Sequence, residues 1–157
     1  MFRKMRRFKQ ELSEEACKKV LLTEGRGVLS LKGDDGYPYG VPLDFFYDEE
    51  KNKIYFHGAT EGHKIDALTA DDKASFCVYD NGVVEEGEWA PTIHSVILFG
   101  RVQKVPNTDE TMELLRQMAR KYYPNEEEVE KGMKSADRVQ MLEFTIEHMS
   151  GKLIHEK

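Results

Sequence analysis

Two prolines inside one strand-like run constrain this chain more than any other feature. Residues Tyr37 to Tyr47 read as a strand, yet they hold Pro38 and Pro42. Proline has no N–H to give to a ladder, so each must lie at a sheet edge, at a bulge, or where the backbone faces something other than a strand. Val41, Leu43, Phe45 and Phe46 are too apolar to sit comfortably on a wet edge. Val41-Pro42-Leu43 is therefore read as backbone facing a flat ligand, with a solvated edge strand as the alternative. The run Lys32-Gly33-Asp34-Asp35-Gly36 is a turn signal, and Gly27 to Leu31 before it reads as a short buried strand, so the two runs form a hairpin.

The other segments fit a mainly β chain. Ser13 caps a helix to about Glu24, with Glu14 and Glu15 at its positive end and Gly25 after it. Further strands are expected at Ile54–His57, Lys73–Tyr79, Ser95–Val105 and Val139–His148, with Gly100 marking a bulge in Ser95–Val105. A polar loop, Asp80 to Pro91, carries the only tryptophan, Trp89. Met112, Leu115, Met118, Ala119 and Tyr122 repeat at helical spacing from Asp109 to Tyr122, as a core or partner-facing stripe. A charged helix follows at Glu126–Lys134. Short strands joined by hairpins favour an antiparallel closed sheet, and six strands leave little room inside, so a ligand is expected on the outside against another surface.

Chemistry concentrates at Tyr55-Phe56-His57-Gly58-Ala59-Thr60-Glu61-Gly62-His63-Lys64. A strand ends, Gly58 and Gly62 bracket a loop, and a helix opens at or just after Gly62. A helix start has unpartnered N–H groups and a positive dipole end, so His63 and Lys64 there are unfavourable unless an anion compensates them. A bound phosphate is the simplest such anion; an ordinary turn is the alternative. His57 and His63 lack a well-spaced third ligand for zinc, and no GxGxxG stands between a strand and a helix, so neither a metal centre nor a Rossmann site is indicated.

At 157 residues with 33% charged side chains, one domain is expected over residues 1–150, with a basic arm at 1–10 and a tail at 151–157. The net charge of −6 argues against nucleic acid as a partner. No apolar run is long enough to span a membrane, and no apolar segment follows the basic start as export requires. Cys17 and Cys77 lack CxxC spacing, which suits a reducing cytoplasm.

The segments GVLSLKGDDGYPYGVPLDFFY, KIYFHGATEGHKIDAL, DKASFCVYD and SVILFGRVQKV, taken in order, closely resemble the nitroimidazole-resistance branch of the pyridoxamine 5′-phosphate oxidase-like, FMN-binding split-barrel proteins. The resemblance implies a six-stranded antiparallel split barrel with flanking helices, binding FMN at the interface of a homodimer. It implies that Val41, Pro42 and Leu43 run along the isoalloxazine ring and that His57 and Gly58 line the cofactor. His63 and Lys64 would hold the phosphate, and Ser95 would approach the flavin from the second subunit. The oxidase branch has arginine where His63 stands. It also carries an arginine- and proline-rich C-terminal segment that has no counterpart at 147–157, so pyridoxamine phosphate oxidase activity is not expected.

The expected function is an FMN-dependent oxidoreductase passing electrons from reduced flavin to a small acceptor such as a nitroaromatic, with His94 and Asp44 as candidates for proton handling. A flavin- or haem-binding carrier or sensor without turnover, and a cofactor-free dimerisation domain, are the rivals.

Overall fold

The computed structural model describes residues 1–155. Its centre is one antiparallel sheet of seven strands: β1 (Arg26–Lys32), β2 (Pro38–Asp44), β3 (Phe46–Asp48), β4 (Lys53–Gly58), β5 (Lys73–Tyr79), β6 (Thr92–Val105) and β7 (Gln140–His155). Four helices flank it: α1 (Glu14–Thr23), α2 (His63–Ala70), α3 (Asp109–Tyr122) and α4 (Glu126–Met133). Ser13, Thr108 and Asn125 cap α1, α3 and α4 by accepting a first-turn N–H.

The expected hairpin forms, with every residue of β1 paired to β2 from Arg26↔Asp44 to Lys32↔Pro38. Asp35 (φ 54°) and Gly36 (φ 78°) take left-handed conformations that reverse the chain between them. The long strand expected over Tyr37–Tyr47 is broken at Phe45, which gives seven strands where six were expected. The reason is topological. The strand order is β2-β1-β5-β6-β7-β4-β3, so β2 and β3 are the two edges of the sheet although only Phe45 separates them in sequence. At Phe45 the chain crosses from one edge to the other and curls the sheet into a half-barrel.

Phe45 is fully buried, and α3 clamps its backbone. The Phe45 N–H donates to the Tyr122 hydroxyl at 2.8 Å, and that hydroxyl has its one proton for the carbonyls of Phe45 and Gly25. Lys121 Nζ donates to the Phe45 carbonyl at 3.0 Å and sits 3.8 Å from the centre of the Phe45 ring. Burial lowers the Lys121 pKa to about 8, although Asp44 and Glu24 pull it upward.

The inner face holds the main core. Leu29, Phe56, Phe76, Val96, Leu98 and Phe144 meet Cys17, Val20 and Leu21 of α1 and Ile65 and Leu68 of α2. A second core lies on the other side of β4 and β7, where Tyr55 and Met141 pack on Leu114, Leu115 and Met118 of α3. Ile54, Tyr55 and Phe56 are buried in succession because β4 separates the two cores, which is why this run reads as continuously apolar. The expected bulge at Gly100 is present: the β6–β7 register jumps there, from Phe99↔His148 to Gly100↔Ile146. A Cβ at Gly100 would run into the Thr145 carbonyl.

The C-terminal segment differs from expectation. The strand does not stop at His148, and residues 151–155 of the expected tail belong to β7, because Thr92–Leu98 of β6 pair with Met149–His155. Residues 156 and 157 lie outside the described residues. The basic arm is also anchored: Phe2 stacks on His148 with ring centres 4.5 Å apart, and the Leu12 N–H donates to the Gly151 carbonyl at 2.8 Å.

Replacing Tyr122 by Phe leaves the Phe45 N–H without its acceptor at the sheet junction. The expected loss is about 1–3 kcal/mol of unfolding free energy, read by urea denaturation; a change below about 0.5 kcal/mol, the range of ordinary surface substitutions, would show that the clamp is dispensable.

Candidate functional site

The split in the half-barrel creates the site. β2 pairs only with β1, and β3 covers β4 only at Lys53–Tyr55. Beyond Phe45 the free edge of β2 therefore faces the uncovered end of β4, Phe56–Gly58, with α2 starting close by. Pro38 and Pro42 are on this edge strand with exposed side chains, while Val41 and Leu43 pack inward on the core. The two prolines thus stand where no neighbouring strand needs their missing N–H.

The helix opens where the sequence places it. Gly62, at φ 135°, precedes α2, a conformation that side chains rarely adopt. No side chain caps the helix, so its first N–H groups point outward unpaired. Lys64 folds back over the β4 end: a Cβ at Gly58 would come within 2.7 Å of Lys64 Nζ. The Lys64 ammonium is half-buried, has no ion pair or hydrogen bond among the described residues, and its pKa is lowered by that burial. His63 takes a different direction. Its ring stacks on Tyr39 with centres 3.9 Å apart, and Nε2 lies 3.8 Å from Asp34 Oδ2 on the β1–β2 turn. Part of the compensating negative charge at this helix start is therefore supplied by the protein itself.

His57 faces a different neighbourhood from His63. With Asp44, Met118, Tyr122 and Met133 it lines a cavity of about 190 Å³ between the sheet and the α3–α4 pair. Its Nδ1 is 3.0 Å from Met118 Sδ. One side of the ring is open, but close packing elsewhere lowers its pKa; Lys64 pushes the same way and Asp44 opposes. Asp44 also accepts a hydrogen bond from Arg26 Nε at 2.9 Å.

The remaining sequence candidates lie apart. Ser95 is on β6, three strands from β2, and its hydroxyl donates to the Lys152 carbonyl at 3.3 Å. His94 is held by Asp80, whose Oδ2 is 2.8 Å from Nδ1 and whose Oδ1 accepts the N–H of His94 and of Gly82. Within one chain, then, Val41, Pro42, Leu43, Gly58, His63 and Lys64 lie on the elements that border the split, His57 and Asp44 line the cavity against α3 and α4, and Ser95 and His94 lie apart. Sequence reading missed Asp80 as the partner of His94, and it gave Met118 and Tyr122 only as parts of an apolar stripe. Among the described residues no group of three or more His, Cys, Asp or Glu side chains is placed to hold a metal ion.

Residues 13–153 match the family model described as pyridoxamine 5′-phosphate oxidase. The chain belongs to this family. No curated protein sequence matches it. Among solved structures, it resembles a candidate 5-nitroimidazole antibiotic resistance protein from Bacteroides thetaiotaomicron, with TM-score 0.76 and 18% identity over 91% of this chain and 86% of that one. It also resembles an FAD-binding protein from Mesorhizobium loti, with TM-score 0.66 and 24% identity over 93% and 98%. A third is the flavocytochrome Anf3 from Azotobacter vinelandii, with TM-score 0.76 and 20% identity over 98% and 73%. At these identities the likenesses establish the split-barrel fold. No helix among the described residues is long and apolar enough to cross a membrane.

The His57 environment makes a direct prediction. A folded-state pKa below the ordinary 6.5 means that the folded protein resists charging this ring, so its contribution to stability is lost as pH falls below about 6.5. By NMR, the His57 ring resonances should titrate below that value, and His57→Gln should reduce the acid-side loss of stability. Titration above 6.5 would contradict the packing described.

Proposed function

We propose that this family member binds FMN in the split between β2 and β4 and acts as a flavin-dependent oxidoreductase of the nitroimidazole-resistance type, delivering electrons to a small acceptor such as a nitroaromatic. The observation that carries the reading is Lys64: a half-buried ammonium without a counter-charge, laid over Gly58 beside a helix start with no cap. An isolated buried charge is costly, and a phosphate at this point would supply both the missing anion and acceptors for the first-turn N–H groups. The family match and the solved neighbours named for flavins support the same cofactor class.

A bound flavin would supply the redox chemistry itself. The residues' tasks are to bind, orient and shield it. Lys64 acts as a point charge on the phosphate, and His63 adds a donor when protonated. The free edge of β2 at Val41–Leu43 offers backbone polar groups to a ring lying alongside, and Gly58 keeps the opposite wall low. The neutral His57 and the carboxylate of Asp44 line the neighbouring cavity against α3 and α4. Ser95 cannot join them from the same chain, so the proposal includes a homodimer in which the second copy brings its β6 to the open side. The proposal places no nucleic acid or membrane in this role.

The test is the visible spectrum of the purified protein, with the released cofactor identified by mass after denaturation. FMN is expected. A colourless protein that takes up no added FMN, or one that releases FAD, would overturn the assignment. Lys64→Ala should weaken FMN binding about tenfold or more, the equivalent of one charge-assisted hydrogen bond. Turnover with nitroaromatic acceptors under a chemical reductant would separate the oxidoreductase from a flavin- or haem-binding carrier.

His63→Arg, which places a forked guanidinium donor at the helix start, should tighten FMN binding, and His63→Ala should weaken it. Equal FMN affinity in the three proteins would remove His63 from the phosphate site.

A further inference from the structure

The first nine residues concentrate positive charge. Arg3, Lys4, Arg6, Arg7 and Lys9 stand there with no acidic residue among them, so a chain of net charge −6 carries −11 over the rest of its length. All five are exposed, and none forms an ion pair with a described residue. Cations elsewhere on the surface are paired: Arg116 with Glu130, Arg120 with Glu126, and Lys131 with Glu127 and Glu128. Like charges crowded into one short segment repel one another, and an external anion relieves that repulsion.

Apolar side chains are interleaved with these bases. Met1, Phe2, Met5 and Phe8 recur at spacings of three and four, so in a helical arrangement they share one side, with Arg3, Arg6 and Arg7 on the other. Phe8 opens a single 3-10 turn, Phe8–Gln10, and leaves 67% of its area exposed. The arm is fixed at its base, where the Leu12 N–H donates to the Gly151 carbonyl at 2.8 Å and Glu11 forms an isolated bridge with Lys152. Nearer the tip, Phe2 stacks on His148 with ring centres 4.5 Å apart. An apolar, basic tip thus sits on a fixed root.

We propose that this arm is a peripheral anchor for an anionic lipid surface, with its bases on the headgroup phosphates and Phe8, Met1 and Met5 at the acyl boundary. Each basic side chain near such a surface adds attraction, and the apolar side chains add a second term that salt does not screen. Acidic groups of the same protein held more than about 10 Å from the surface are largely screened at ~0.1 M salt. Nucleic acid fits less well. A polyanion tracks a basic face, and beyond these nine residues the net charge of −11 repels it. A bilayer needs to touch only the arm. The inference does not depend on the flavin site.

The test is co-sedimentation of the full chain with vesicles of equal parts phosphatidylcholine and phosphatidylglycerol, against vesicles of phosphatidylcholine alone. Binding is expected to the first and not to the second, and it should weaken as salt is raised. R3E/R6E should lower the affinity about tenfold or more, whereas R3K/R6K, which keeps both charges, should bind as the parent chain does. F8A should lower it by the same factor at low and high salt. Trp89 is the only tryptophan, so in a W89F/F8W chain the indole reports on the arm, and its emission should move to shorter wavelength on the anionic vesicles. The proposal is overturned if the chain leaves anionic vesicles unbound, if it binds both vesicle types equally, if the charge reversal leaves binding unchanged, or if the arm's indole stays solvated in the bound state. It is likewise overturned if the chain binds a short DNA duplex more tightly than the anionic vesicles at the same salt.

Discussion

The buried hydrogen bonds at Phe45 hold this architecture together. A sheet with seven strands has two edges, and here the edges are consecutive in the chain, separated by one residue. That residue's N–H and C=O cannot join either ladder, and they are buried, so they require partners from elsewhere. The end of α3 provides them through Tyr122 and Lys121. The same hydroxyl reaches the Gly25 carbonyl at the entry to β1, so one side chain ties the first hairpin, the sheet junction and the long helix. The cost is visible in the two side chains. Burial lifts the Tyr122 hydroxyl to a pKa of about 12 and depresses the Lys121 ammonium.

Closing the edges at one point opens them at another. Because β3 is only three residues long, β4 runs past it, and β2 runs away from the same junction with a free edge. Free sheet edges are normally blunted by charge, proline or a covering element. In this chain Pro38 and Pro42 lie along the edge, and α2 begins beside it with an uncapped start and an unpaired lysine. These features share one physical description: polar backbone and positive charge left without partners around a cleft. The proposed cofactor answers that description with an anionic group at the helix start and a planar, polar-edged ring along the strand.

The two faces of the sheet divide the remaining work. The inner face is closed by α1 and α2, and the far side of β4 and β7 by α3, so both cores are complete within one chain. The face formed by β2, β1, β5 and β6 is left with Val28, Cys77, Ile97 and Phe99 outward and no helix over them. The arm crosses part of it through Phe2 and is held at Leu12 by Gly151, where a Cβ would crowd both Cys17 and Leu12.

The sequence alone determined the features that depend on local chemistry. The prolines require an edge position, Asp34-Asp35-Gly36 requires a reversal, Gly100 marks the bulge, and Gly62 marks the start of α2, because each is set by backbone conformation or hydrogen-bond capacity within a few residues. The resemblance of the quoted strands supplied the split-barrel architecture. What only the tertiary structure decided was long-range. Phe45 reads as one more apolar residue in a strand until the far edge of the sheet is placed beside it. The segment after His148 looks like a tail because its strand character comes from pairing with Thr92–Leu98, not from its own pattern. His63 and Lys64 are adjacent in sequence yet diverge, one to Tyr39 and Asp34 and the other over Gly58, since successive residues on a helix point about 100° apart. Asp80 and His94 are joined only because β5 and β6 are neighbours. Pairing between distant residues is settled by how the sheet curls, and no local pattern encodes that.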